Sequence, residues 1–217
     1  MEQEVQPQET DEAVSPKQEV KREVVELVRL VLIFLVLFWG LKTFVIEGYE
    51  VQGDSMYPTL RDGQRILVFK LPHKLTQLPV LNRFAAIDAG DIVVFDKRDE
   101  GHRRYVKRVI AQGPHQPGNK VSATEEERDP DTLVKVEFNA GTVYVNNWPI
   151  EEDYLEPVEQ TSVDVEAPVY LGPDEYYVLG DHRSVSKDSR SFGAIDDGQI
   201  IGRAVLRFWP LREIGRF

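Results

Sequence analysis

Three short stretches hold the residue types that could do covalent chemistry. In "VQGDSMYPTL" (51–60) a serine, Ser55, follows a Gly-Asp pair and precedes Met56 and Pro58. Gly53 permits a tight backbone turn and Pro58 stiffens the exit, so the loop can present a hydroxyl together with a backbone N–H. A serine hydroxyl is a poor nucleophile until a neighbouring base takes its proton. The same residues also suit an ordinary loop, where serines are common.

A base has to come from elsewhere. His73, His102, His115 and His182 are scattered, and the G-x-S-x-G elbow of serine esterases is missing. Lysines are the remaining candidates. Lys107 stands in "YVKRVIA" beside Val106, Val109 and Ile110. Period-2 alternation puts Tyr105, Lys107 and Val109 on one face and Val106, Arg108 and Ile110 on the other. An amine with a reference pKa of about 10.4 is almost wholly charged at neutral pH in water. Apolar burial without a carboxylate partner lowers that value by several units, and the neutral amine can then act as a base. The competing reading is an edge strand with solvated Lys and Arg.

The third stretch, "LGDHRSVSKDSRSFG" (179–193), is dense in Asp, Arg and Ser. It reads either as a polar loop of Asx and Ser turns or as a hydrogen-bonded scaffold holding backbone beside a site.

These groups need a frame. Past residue 50 the chain breaks into short Val-, Ile-, Tyr- and Phe-rich pieces: 63–71, 90–97, 103–112, 132–139, 141–147, 175–181 and 199–210. Gly, Pro, Asp and Asn punctuate them, and no long 3.6-residue period appears. Residues 47–217 are therefore expected to be mainly β, with packed antiparallel sheets or a barrel-like domain. The interval 71–90 is either a loop packing inward or an apolar lip resting on a bilayer. The acidic stretch 122–131 is expected to be a mobile surface loop.

Ahead of the strands lies "VVELVRLVLIFLVLFWGLKTFVI", uncharged from Leu30 to Leu41. The twenty residues Leu27 to Ile46 would make a helix of roughly 30 Å, the thickness of a bilayer's hydrocarbon core. Arg29 and Lys42 lie near its ends, where long side chains can reach the headgroups. We expect one transmembrane helix over 23–46. A cleaved leader would need a basic start and an A-x-A-like cleavage site, and a buried core helix would show a polar stripe. Lys17, Lys21, Arg22 and Arg29 favour a cytoplasmic N-terminus and an extracytoplasmic catalytic domain in a single-pass cell-membrane protein. Residues 1–22, rich in Glu, Gln and Pro, are expected to form a disordered cytoplasmic tail.

Composition narrows the function. Of 217 residues, 41% are hydrophobic, enough to build a core. A formal net charge of −11 argues against a nucleic-acid partner, whose phosphates would repel the chain. With no cysteine there is no disulfide, thiolate zinc site or thiol nucleophile. The histidine spacing suggests no metal site, and no cofactor is expected.

The three stretches, taken with "GDIVVF", "GTVYVNNWPIEEDYL" and "IIGRAVLRFWPLREIG", resemble the boxes of bacterial type I signal peptidases (leader peptidases), in the same order and behind an N-terminal anchor. The resemblance implies a membrane-anchored serine protease with a Ser/Lys dyad. Ser55 would attack the scissile carbonyl, and Lys107 would serve as general base and then general acid. Ser186 would orient the Lys107 amine, and Asp181, Arg183, Asp188 and Arg190 would form a supporting network. The Ser55 backbone N–H, with a donor at Gly53, would hold the oxyanion, and Met56 would pack near the site. The implied partners are secretory preproteins, cut after small-x-small (Ala-x-Ala-like) sites, and the lipid bilayer.

The sequence departs from the family pattern in three places. Gly53 stands where some members carry a serine hydroxyl, and His182 where asparagine is usual. After the lysine box the chain is stretched to "AQGPHQPGNK", with Asn119 in an aspartate's place. Two alternatives stay open: a self-cleaving Ser/Lys regulator, and an inactive membrane-anchored binding module.

Overall fold

The computed structural model describes residues 16–70, 86–97, 101, 103–114, 133–157 and 167–217. The expected lip is described only from residue 86 onwards. The acidic loop 122–131 and the first fifteen residues of the expected tail lie outside the described residues. Two units divide the chain, Met1–Thr43 and Phe44–Phe217.

The first unit is described by one helix, α1 (Pro16–Phe44), of 29 residues. It starts inside the stretch expected to be a tail. Gln, Glu, Lys and Arg are good helix formers, and Arg22 pairs with Glu26 one turn on at 3.5 Å. A composition rich in such residues signals little burial but does not prevent a helix. Large apolar side chains from Val24 to Trp39 are exposed around the whole helix. Among the described residues, no helix is long and apolar enough to cross a membrane. Glu23, Glu26 and Arg29 interrupt its first half, and the side chains of Leu41, Thr43 and Phe44 lie outside the described residues. The spanning helix expected over 23–46 thus rests on the apolar sequence alone.

The second unit is mainly β, as expected. Its strands are β1 (Ile46–Glu50), β2 (Arg65–Phe69), β3 (Ile92–Lys97), β4 (Arg103–Gln112), β5 (Val134–Asn139), β6 (Thr142–Val145), β7 (Trp148–Pro149), β8 (Val169–Leu171), β9 (Glu175–Leu179), β10 (Ile195–Asp196) and β11 (Ile200–Trp209). A single-turn helix, α2 (Ser189–Phe192), precedes β10. The larger sheet runs β1-β2-β11-β3-β4-β9-β10 and the smaller β7-β6-β5-β8. All the strand pairs are antiparallel.

Apolar runs with both faces covered lie at the sheet centre. In β3, Ile92 to Phe95 are all buried. β4 lies between β3 and β9 and is buried from Lys107 to Ala111. The edge-strand reading of Lys107 and Arg108 is therefore overturned: both bases sit inside the sheet. One core cluster joins Met56 and Leu60 to Ile66, Val68, Ile92 and Val94 beneath the Ser55 loop. A second unites the sheets, with Ile110, Tyr177 and Leu179 against Val136, Val143 and Leu171.

Candidate active site

The Ser55 loop is fastened from both sides. Val51 N–H donates to Gln64 O at 2.8 Å and Gly63 N–H to Val51 O at 2.9 Å, closing its base. The wholly buried Met56 and Leu60 pin it to the core. From the opposite loop, His182 N–H donates to Ser55 O at 3.1 Å, and the His182 ring Nδ1 lies 3.1 Å from Asp54 O. Ser55 is thus held through its backbone, and its hydroxyl is left for other work.

Strand alternation then decides what meets it. On β4, Lys107 faces the serine, with Nζ 2.6 Å from Ser55 Oγ and 2.9 Å from Val106 O. Lys107 is only 2% exposed. Burial is the main cause that brings its amine down from 10.5 to about 8; Arg190 adds to the lowering, while Asp188 and Asp181 oppose it. An uncharged amine can accept the serine proton across that contact.

Arg108 points the other way. Its Nε and Nη2 donate to the two oxygens of Asp181 at 2.9 and 2.7 Å, and its Nη1 to Gly90 O at 2.8 Å. Thr59 Oγ1, on the nucleophile loop, donates to Asp181 Oδ2 at 2.5 Å. Asp188 caps α2, accepts from Gly180 N–H at 3.0 Å, and takes Arg190 Nε and Nη2 at 2.8 and 2.9 Å. Arg190 Nη2 also donates to Arg183 O at 2.6 Å. Arg183, Asp188 and Arg190 thus make one network around the turn beside Ser55, and Asp181 ties that turn to Arg108 and Thr59.

Two of the implied contacts are not formed. Ser186 Oγ does not reach Lys107; it is buried without a hydrogen-bond partner among the described residues. Gly53 N–H donates to Asp62 Oδ1 at 2.6 Å, so it is not free to hold an oxyanion. Asp62 lies nine residues on, across a loop in which Gly53 takes a positive φ of 79°. Among the described residues the Ser55 backbone N–H makes no hydrogen bond, and it alone remains for that purpose.

Sequence reasoning missed five participants. Thr59, Arg108, Glu152 and Tyr154 lie in motifs already singled out; Asp62 falls between two of them. Only the Asp–Arg balance of the motifs hinted at such partners. Ser55 and Lys107 open onto a cavity of about 1090 Å³ walled by Val51, Ile66, Val94, Tyr105 and Val106, with Arg103, Arg104 and Lys187 on its lining. Among the described residues, no cluster of His, Asp and Glu is arranged to hold a metal ion.

A β domain that places a serine hydroxyl against a buried amine, at the mouth of a cleft, defines a hydrolase of the serine-peptidase class. The family described as "Signal peptidase, peptidase S26" matches residues 24–128 and 132–209. Signal peptidase IB of Staphylococcus aureus (strain COL) is 32% identical over 211 residues, covering 89% of this chain and 94% of that protein. Probable signal peptidase I-2 of Synechocystis sp. is 29% identical over 195 residues, 88% of this chain and 75% of that one. A solved signal peptidase I from Enterococcus faecalis V583 overlaps 55% of this chain and 97% of its own, with 23% identity and a TM-score of 0.39. The chain belongs to the signal peptidase family, peptidase S26.

Gly180 gives a first test of how tightly the site is built. A Cβ there would lie 2.2 Å from Ser186 Oγ and 2.4 Å from Ser55 O. Gly180→Ala must displace the nucleophile's own backbone. We expect kcat/KM to fall about a hundredfold, since a misplacement near 1 Å costs that much. A melting curve should show a modest loss of stability, as overpacking costs about 1–3 kcal/mol.

Proposed function

We propose that this chain is the endopeptidase that removes N-terminal signal peptides from secretory preproteins, cutting after small-x-small sites with a Ser55/Lys107 dyad. The observation that carries it is the 2.6 Å contact between Ser55 Oγ and an amine that is 2% exposed. Neutral Lys107 takes the Ser55 proton as Oγ bonds to the scissile carbonyl carbon. The charge that develops on the carbonyl oxygen is met by the Ser55 backbone N–H. The protonated amine then gives its proton to the departing nitrogen as the C–N bond breaks, leaving an acyl-enzyme. A water, deprotonated by the same amine, releases the signal peptide and restores Ser55.

The small-x-small preference suits a cleft that Val51, Val94 and Val106 help to line. The apolar run from Leu30 to Leu41, flanked by Arg29 and Lys42, supports a single-pass anchor over 23–46 with the N-terminus in the cytoplasm. Tethering would place Ser55 at the bilayer surface where cleavage sites emerge, raising the local enzyme concentration.

The test is cleavage of a purified preprotein by the wild-type chain and by Ser55→Ala. We expect the variant to be inactive while folding normally; equal cleavage would end the dyad reading, and no cleavage by the wild type would favour a binding module. Because only the free amine accepts a proton, kcat/KM should rise about tenfold per pH unit below about 8 and then level off. A profile flat from pH 6 to 9 would remove Lys107 from the role of base.

A further inference from the structure

We propose that Tyr154, backed by Glu152, is a positioning residue for the proteolytic reaction: it seals the far side of the Arg108–Asp181 pair, so that Asp181 stays compensated beside Lys107 and Thr59 stays in place. Neither residue touches the cleft. Both come from the segment that follows β7, next to the smaller sheet.

The Arg108 guanidinium sits over the Tyr154 ring, its central carbon 3.9 Å from the ring centroid. Tyr154 Oη donates to Glu152 Oε1 at 2.7 Å. Arg183 donates to both oxygens of Glu152, at 3.2 Å through Nη1 and in a second, close contact through Nη2, and its Nη2 lies 3.3 Å from Tyr154 Oη. Arg183 Nε in turn donates to Gly180 O at 3.1 Å. One tyrosine and one glutamate thereby grip both sides of the site: Arg108, adjacent in sequence to the base, and Arg183, on the turn that holds Ser55.

The consequence for Lys107 is electrostatic. The groups that face its amine are Asp181, Asp188 and Arg190, with the Tyr105 ring 5.8 Å from Nζ. Asp181 is fully buried and is neutralised by Arg108. The aromatic face excludes water from the open side of that guanidinium and adds a cation–π attraction. Without it, Arg108 can turn toward solvent. Asp181 is then less well compensated, and its charge favours the charged amine.

This rests on Lys107 as the base. The experiment is the pH profile of kcat/KM on a purified preprotein for the full chain, Tyr154→Leu and Tyr154→Phe. For Tyr154→Leu we expect the midpoint of the rising limb to move up by about half to one pH unit. That means a three- to tenfold loss at pH 7 that closes above pH 9. Tyr154→Phe keeps the ring, so its midpoint should stay with wild type even if the plateau drops. An unchanged midpoint in Tyr154→Leu, with a uniform loss at every pH, would overturn the proposal, as would equal displacement in both variants. If Tyr154→Leu does not fold, Tyr154→Met, which keeps apolar volume without an aromatic face, carries the same expectations. Cleavage by Lys107→Met would mean instead that the dyad reading is wrong, which separates the two failures.

Discussion

Lys107→Met is expected to stop cleavage while making the folded protein more stable at neutral pH. The first half follows from the dyad: general-base assistance is worth about 10²–10⁴-fold, and a nucleophile and its base act as a unit, so the loss should sit at the upper end. The second half follows from burial. The amine titrates near 8 in the folded chain and near 10.5 when solvated. Below pH 8 both states carry the proton, and the folded state bears the whole cost of a charged, dry amine, roughly 3 kcal/mol. Between pH 8 and 10.5 the unfolded chain binds more protons, so wild-type stability rises with pH across that window. Above it the penalty is gone. Methionine is of similar length and uncharged, and it gives up the contacts to Ser55 and Val106 and the amine's place over the Tyr105 ring. Melting curves of the two proteins should therefore differ by roughly 5 °C at pH 7, with the variant higher, and converge near pH 10.5. If Lys107→Met melts lower than wild type at pH 7, the amine is not held in a desolvated site.

How far the site could be read ahead of the structure depends on how local each cause is. Strand identity is local: apolar runs such as "DIVVF" and "YVKRVIA" could be placed without knowing their neighbours. The two-faced character of β4 was also visible, because alternation sends Lys107 and Arg108 to opposite sides whatever the fold. What alternation could not say was whether those sides were wet. That depends on β3 and β9 flanking β4, which is a matter of topology.

The polar partners were hidden for the same reason. Thr59 and Asp181 are 122 residues apart, and Arg183 and Glu152 31 apart. Charge counts hint that such pairs exist but do not say which acid meets which base. The resemblance supplied a donor at position 53 and a bond from Ser186 to the amine. Here Asp62 takes the first, and Ser186 Oγ stands unpaired. The early start of α1 shows a similar limit: charged helix formers can begin a helix where the composition signals little burial.

Asp181→Asn is expected to damage this protein more than any substitution on its surface, and the reason is the arginine it leaves behind. Arg108 and Asp181 have side chains only 8% and 0% exposed. Two buried charges that satisfy each other are often no better than two apolar residues, but removing one strands the other without water or counter-charge. That costs about 3–5 kcal/mol, or roughly 6–20 °C in melting temperature for a chain of this size. Activity should fall as well, because Thr59 loses its carboxylate acceptor and the Ser55 loop one of its ties. The double variant Arg108→Met/Asp181→Leu separates the two effects. With no charge left to strand, it should regain most of the lost stability. It should not regain activity, since Thr59 still has nothing to donate to and the Ser55 loop still lacks that tie. A double variant as unstable as Asp181→Asn would mean that packing, and not the unpaired arginine, carries the loss.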